Sequence, residues 1–117
     1  MRRDSERIAD ITEACAKIAH YIQARTSVDF IFDDLFRDAV VRQLTIVGEA
    51  AVNLSSEFKA RHPEIPWQEI AGFRNRIVHD YFGFNLDTAW LVATVSLPIL
   101  NEQLSVIARA DFPDESI

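Results

Sequence analysis

The chain has 117 residues, of which 49% are hydrophobic and 26% are charged, and its formal net charge at pH 7 is −6. These values are typical of one soluble globular domain and exclude a disordered chain. The negative charge also excludes a general affinity for nucleic acid, which needs a basic surface. Any contact with phosphate groups therefore has to be local.

The chain contains only three glycines and four prolines, so turns are few and long helices are favoured. We expect a single domain over residues 1–117, ending in a short acidic tail at residues 110–117. No apolar run approaches the roughly 20 residues that span a bilayer, and the lone Cys15 fits a reducing compartment. We therefore predict a cytoplasmic protein without membrane contact.

The first predicted helix covers residues 4–25, and Asp4 or Ser5 is expected to cap its start. A second cap at Ser27 predicts a short helix or turn after it. Apolar residues of the first helix recur every three or four positions, which predicts one buried stripe and makes Cys15 a packing residue. The stripe consists of Ile8, Ile11, Cys15, Ile18 and Ile22.

The longest predicted helix covers residues 35–61, where apolar residues occupy more than one face. It is either simply the central helix of a bundle or a helix that also provides a homodimer face. Small residues in the stretch GEAA, residues 48–51, should let another helix approach closely. Ser55 and Ser56 are expected inside this helix, with no histidine beside them to make a nucleophile. Pro63 should end it, because proline disfavours helical backbone at the preceding residue.

Pro66 is well placed to begin the next helix, which continues through the stretch FRNRIVHDYF. Asn85 or Asp87 can cap the last helix, over residues 86–109. Within that helix Pro98 predicts a kink or a local break. The predicted fold is therefore an all-α bundle of four or five helices.

The stretch FRNRIVHDYF, residues 73–82, concentrates groups that can do chemistry. Arg74 offers a planar fork of donors that matches phosphate oxygens, and histidine, here His79, can exchange a proton near neutral pH. These are the two functions needed to cleave RNA without a metal. The plainer alternative is a surface ion pair between Arg76 and Asp80 beside a histidine favoured by the helix dipole. The chain shows no paired metal-ligand spacing and no glycine-rich phosphate loop, so we expect no metal and no cofactor.

The spacing within this stretch limits what one chain can do. At 3.6 residues per turn, Arg74 and His79 point about 140° away from each other, whereas Asn75 and His79 share a face. Either the helix ends before His79 or a second chain completes the site. A second copy would also let two histidines divide the roles of base and acid, so we expect a homodimer. The other cations near the stretch in sequence are Lys59 and Arg61.

The stretch RNRIVHDY matches the R-x4-H-x-Y motif of HEPN-domain toxins, with Arg74, His79 and Tyr81 at its positions. The sequence DAVVRQLTIVGEAAVNLS, residues 38–55, resembles the central helix of the HepT-like branch of that family. The stretches HPEIPWQEIAGFRN and HDYFGFNLDTAW are similar to the segments before and after the motif. The resemblance extends from about residue 4 to residue 108.

This resemblance implies an all-α HEPN homodimer whose two motifs meet in a cleft. It also implies a metal-independent endoribonuclease that cleaves RNA as the toxin of a type VII toxin–antitoxin pair. The implied partner is an MntA-like nucleotidyltransferase antitoxin, which adenylylates the motif tyrosine with ATP. By position, Arg74 would stabilise the phosphate, His79 would handle the proton and Tyr81 would be modified. Asn75 and Asp80 would have supporting roles, Asn75 by orienting substrate or partner.

An adenylate on Tyr81 would place a bulky anion two residues from His79 and repel an RNA phosphate, which makes the modification an off switch. The resemblance also implies supporting roles at the dimer face for Arg42 and Glu49. One alternative uses the same residues differently: a noncatalytic helical module that binds a nucleotidyltransferase and is its substrate.

Overall fold

The structure is a computed structural model that describes residues 2–79 and 85–115. Over these residues the chain is helical and contains no strand, which confirms the predicted all-α class. A π-helical turn, Val92–Ser96, joins the last two helices into one rod. The helices are α1 (Asp4–Tyr21), α2 (Ser27–Phe32), α3 (Asp34–Val52), α4 (Ser56–Arg61), α5 (Trp67–His79), α6 (Leu86–Leu91) and α7 (Leu97–Asp111).

The core lies where α1 packs against α3 and α7. The predicted stripe of α1 is buried there from Ile8 to Ile18, with Cys15 only 6% exposed, whereas Ile22 lies just past the helix and is partly buried. Burial raises the pKa of the Cys15 thiol to about 11, so it stays protonated and unreactive near neutral pH. Each large aliphatic side chain buried in this way stabilises the fold by about 1.5–3 kcal/mol. From α3 and α7 the core receives Val40, Leu44, Val47, Ala51, Leu100, Leu104 and Ile107.

The predicted start of the first helix at Asp4 is confirmed, whereas its predicted cap and its predicted end at Arg25 were wrong. The N-cap is Arg3, whose side chain makes no cap bond, and α1 ends at Tyr21 before a turn in which Ala24 adopts a φ of 57°. The Asp4 carboxylate, expected to cap α1, instead accepts bonds from the backbone N–H and the hydroxyl of Ser55 at 2.9 and 2.7 Å. The following cap is Thr26 rather than Ser27, in a capping box with Asp29.

The single helix predicted over residues 35–61 is two helices, because local polar groups end one and begin the other. The Asn53 side chain donates to the Glu49 carbonyl at the end of α3. Ser55 then caps α4 by accepting from the Phe58 N–H at 3.1 Å. Ser55 and Ser56 are therefore a cap and a first helical residue, not helix-interior positions. The break lets Phe58 turn fully into the core.

The break predicted at Pro98 is confirmed in the form of the π-helical turn just before it. Proline has no N–H to donate one turn back, and its ring crowds the carbonyl there, which favours a locally widened helix. Asn85 caps α6 as predicted, accepting from the Thr88 N–H at 3.0 Å. The rod Leu86–Asp111 is long and apolar enough to cross a membrane by length and composition, a test that core helices of soluble proteins also pass. In this fold it packs on α1.

The helix α5 lies against α3 and buries none of its side chains completely. Its first residue, Trp67, is tied down by a bond from the indole N–H to the His62 carbonyl at 2.9 Å. Its inner face is formed by the half-buried residues Trp67, Ile70, Phe73 and Ile77. This helix carries Arg74 and His79, so the packing of α5 on α3 determines the direction of both side chains.

Candidate functional site

A glycine at the crossing of α3 and α5 brings the two backbones close together. A Cβ atom added to Gly48 would lie 2.7 Å from the Cβ and 3.0 Å from the Cγ of Arg74, which is closer than real atoms approach. Only glycine fits there without moving α5. The prediction that small residues in GEAA permit a close helix contact is thus confirmed, and the approaching helix is α5 of the same chain.

Arg74 is held by a two-point contact with Glu49, the residue after Gly48. The guanidinium Nε donates to Glu49 Oε1 at 2.9 Å, and Nη2 donates to Oε2 at 3.1 Å. Nη1 donates to the side-chain oxygen of Asn75 at 2.8 Å. A guanidinium group has five N–H donors, so two remain for another ligand. The Arg74 side chain is 24% exposed, which leaves those donors within reach of solvent.

The electrostatics of the site centre on Glu49. Hydrogen bonds from Arg74 lower the pKa of the Glu49 carboxyl, and the charges of Arg74 and, to a smaller extent, His79 lower it further. The hydrogen bond to Glu49, together with the charge of Glu49, raises the pKa of Arg74. The carboxylate is therefore ionised at neutral pH, and its position is within electrostatic reach of both motif residues.

The structure excludes one of the two arrangements that the spacing left open. The helix α5 runs from Trp67 through His79, so it does not end before the histidine. Arg74 and His79 consequently keep their divergence of about 140° around the axis. Asn75 and His79 are exposed on the outside of the helix. Asp80 and Tyr81 lie outside the described residues.

Beside the crossing lies an apolar groove between α5 and the rod formed by α6 and α7. Its cavity volume is about 350 Å³, and its lining includes Leu44, Val47, Gly48, Ile70, Phe73 and Leu100. The outer surface of the rod carries three exposed apolar residues in register, four residues apart: Leu91 (57%), Val95 (48%) and Ile99 (58%). Ile99 also lines the groove, so groove and stripe form one apolar face, which we call the rod face.

Sequence reasoning missed the role of Glu49 and misjudged the nearby cations. Glu49, expected only at a dimer face, pairs with Arg74 in its own chain. Its position just after the glycine of a predicted helix contact was the available signal. Lys59 and Arg61 are engaged elsewhere: Lys59 donates to the Val52 carbonyl, and Arg61 pairs with acidic residues of α4 and α7. Among the described residues no group of three or more metal-binding side chains occurs.

The chain is similar to known proteins over most of its length. A family model described as "Ribonuclease HepT-like" matches residues 11–107. "Probable ribonuclease HepT" of Thermococcus cleftensis is 36% identical over 108 residues, which cover 92% of this chain and 98% of that protein. "Putative RNase TTE0752" of Caldanaerobacter subterraneus is 35% identical over 101 residues, which cover 86% of this chain and 90% of that protein. No solved structure matches the chain significantly.

Proposed function

The chain belongs to the HepT-like ribonuclease family, and on that basis we propose that it is a metal-independent endoribonuclease acting as the toxin of a type VII toxin–antitoxin pair. One observation carries the proposal: Arg74 is oriented by Glu49 and keeps two free donors, on the same helix as the exposed His79. An oriented cation and a proton-transfer group are what phosphodiester cleavage without a metal requires. The names of the two relatives state an RNase for those proteins.

In the proposed reaction, the imidazole of His79 takes the proton of a 2′-hydroxyl group, and that oxygen attacks the adjacent phosphorus. The bond from phosphorus to the 5′-oxygen breaks, and a second imidazole, His79 of the partner subunit, gives a proton to the leaving oxygen. The products are a 2′,3′-cyclic phosphate and a 5′-hydroxyl. The free donors of Arg74 stabilise the charge that builds up on the nonbridging oxygens.

The proposal includes a homodimer, for two reasons. Arg74 and His79 diverge on a continuous helix, so a second chain is needed to bring one of each to the same phosphate. The rod face is apolar and borders the crossing that seats Arg74, because Gly48 lines its groove. Exposed apolar surface beside a site is a common mark of a protein interface. We place the dimer contact on the rod face.

The proposal also includes control by an MntA-like nucleotidyltransferase that transfers adenylate from ATP to Tyr81. The added phosphate and nucleoside would bring negative charge and bulk two residues from His79, and both oppose an incoming RNA phosphate. Incubation with the cognate enzyme and ATP should add adenylate mass to the chain and none to Tyr81→Phe. An unchanged mass in the presence of an active enzyme would contradict this part of the proposal.

The experiment for the nuclease is cleavage of single-stranded RNA by the purified chain in EDTA, with Arg74→Ala and His79→Ala beside it. The wild type should cut, and each variant should lose at least about two orders of magnitude in rate, the usual weight of a general base or of a charge-stabilising donor. Arg109→Ala is the matched control, since Arg109 is an exposed arginine of α7 outside the site. Equal cleavage by all four proteins would indicate a contaminating nuclease and would contradict the proposed activity of this chain.

The alternative function, a noncatalytic module that is only the substrate of a nucleotidyltransferase, is separated by the same two experiments. It predicts adenylate on Tyr81 together with no His79-dependent cleavage. One observation favours this noncatalytic function: in the single chain the charge of Arg74 is already compensated by Glu49 and is not left over for a phosphate.

A further inference from the structure

A second cleft adjoins the Arg74–Glu49 pair on the side of α3 that faces α1. Its volume is about 210 Å³, and its lining includes Arg7, Arg42 and Glu49. Glu49 lines this cleft and also binds Arg74, so the cleft lies next to the candidate site. We call it the arginine cleft.

The arginine cleft contains positive charge that the described residues leave uncompensated. Arg2 and Asp10, which also line it, pair with each other. Glu49 is compensated by Arg74. Arg7 and Arg42 form no ion pair with any described residue, although most of the other arginines do. Two guanidinium groups of the cleft are therefore unpaired among the described residues, in a chain whose net charge is −6.

The register of α3 sets the distance of this charge from Arg74. Arg42 and Glu49 are seven residues apart, two turns of helix, so they lie on one face about 10 Å apart along the axis. Acidic residues elsewhere on the chain have little effect on the electrostatic potential at the cleft, because salt screens charges over about 10 Å at 0.1 M.

We infer that the arginine cleft binds the phosphate backbone of single-stranded RNA next to the bond that is cut, with Arg42 and Arg7 as the contacting residues. The inference rests on the proposed function. It explains how an acidic chain holds RNA: the two unpaired arginines of the cleft and the oriented Arg74 form a short cationic track. Backbone contacts of this kind carry no base specificity.

The test measures RNA binding by a cleavage-deficient His79→Ala chain and by the same chain with Arg42→Gln, Arg7→Gln or both, using a fluorescent single-stranded RNA between about 50 and 200 mM salt. For single strands each lost phosphate contact lowers the slope of log affinity against log salt by about 0.7. At 0.1 M salt this corresponds to about a fivefold loss of affinity for one contact and about 25-fold for two. The loss should be the same for RNAs of different sequence.

Arg109→Gln is the matched control, because Arg109 is an exposed helical arginine that forms no ion pair with the described residues and does not line the arginine cleft. It should leave both affinity and salt slope unchanged. Arg42 is exposed, so its replacement should not affect folding, which thermal unfolding checks. Arg7 is half-buried, and Arg7→Lys should recover the binding that Arg7→Gln loses.

The outcomes separate this inference from the proposed function. If the wild type cleaves RNA through His79 while Arg42→Gln and Arg7→Gln bind with unchanged affinity and slope, the cleft inference is overturned and the nuclease stands. If both variants weaken binding but no His79-dependent cleavage is found, the cleft is supported and the nuclease fails. If the chain does not bind RNA at all, both are wrong.

Discussion

Arg74 and Glu49 stand 25 residues apart in the sequence, and their contact converts a flexible side chain into one with a set direction. A side-on carboxylate engages the Nε edge of the guanidinium group and leaves the opposite end for an anion. In the proposed nuclease, Glu49 therefore acts on RNA in two opposing ways. It orients the cation that binds phosphate, and its own charge repels the same phosphate.

This double role predicts a split effect for Glu49→Gln. Removal of the negative charge should strengthen RNA binding by the His79→Ala chain severalfold, while kcat of the otherwise wild-type enzyme should fall by roughly tenfold, because Arg74 loses one of its two anchors and small misplacements are costly. Steady-state kinetics and binding titrations measure the two effects. A variant in which kcat and affinity fall together would show that Glu49 only supports the fold.

The stabilisation that the Arg74–Glu49 pair gives to the fold depends on pH only in the range where Glu49 titrates. Arg74 lowers the pKa of Glu49 in the folded chain, so the stabilisation is fully present above the ordinary pKa of a free glutamate, about 4.3. It is lost only as the pH falls through the lowered folded value. The pair accordingly contributes no pH dependence of stability near neutrality, and Glu49→Gln should leave the slope of stability against pH unchanged between about pH 6 and 8.

Gly48 in α3 and Gly72 in α5 are both helix-interior positions, but they differ in the space around them. Gly48 lies under Arg74, whereas no atom lies within 4 Å of a Cβ added to Gly72. In an exposed helix, alanine is more favourable than glycine by about 1 kcal/mol. Where a Cβ has no room, overpacking costs about 1–3 kcal/mol instead.

Gly72→Ala should therefore stabilise the protein by up to about 1 kcal/mol and leave RNA cleavage unchanged. Gly48→Ala should lower the free energy of unfolding by up to about 2 kcal/mol, since overpacking outweighs helix propensity, and should reduce cleavage because α5 has to move. Denaturant unfolding and RNA cleavage assays measure both properties. A Gly48→Ala protein as stable and as active as the wild type would contradict the role assigned to the helix crossing.

Helix boundaries could be predicted from sequence only where the signal was a strong local one. Asn85 and Pro98 act on their own backbone within a few residues, and both predictions are confirmed. The missed break after Val52 depends partly on Asp4, which holds Ser55 from a position 51 residues away. A cap whose geometry is supported by another helix cannot be recognised from its own stretch.

The proposed dimer can be tested through the rod face. Ile99→Asp places a charge at an exposed position that lines the groove, and we expect a monomer with at least about a hundredfold loss of RNA cleavage, because neither chain alone holds a complete site. Light scattering after size-exclusion chromatography measures the mass. Val28→Asp is the control: Val28 is 61% exposed on α2 and does not line the groove, so that variant should remain dimeric and active. A monomeric Ile99→Asp protein with full activity would rule out the composite site.

The sequence by itself determined that the chain is helical, that α1 buries one stripe, and which short stretch carries the motif. These features follow from periodicity, proline and residue chemistry, which act over one or two helical turns. Only the tertiary structure decided that Glu49 holds Arg74, that Gly48 makes room for α5, and that Arg7 and Arg42 share a cleft beside them. Those contacts join helices distant in sequence, and the pattern within one helix does not record which side chain a neighbouring helix will bring against it.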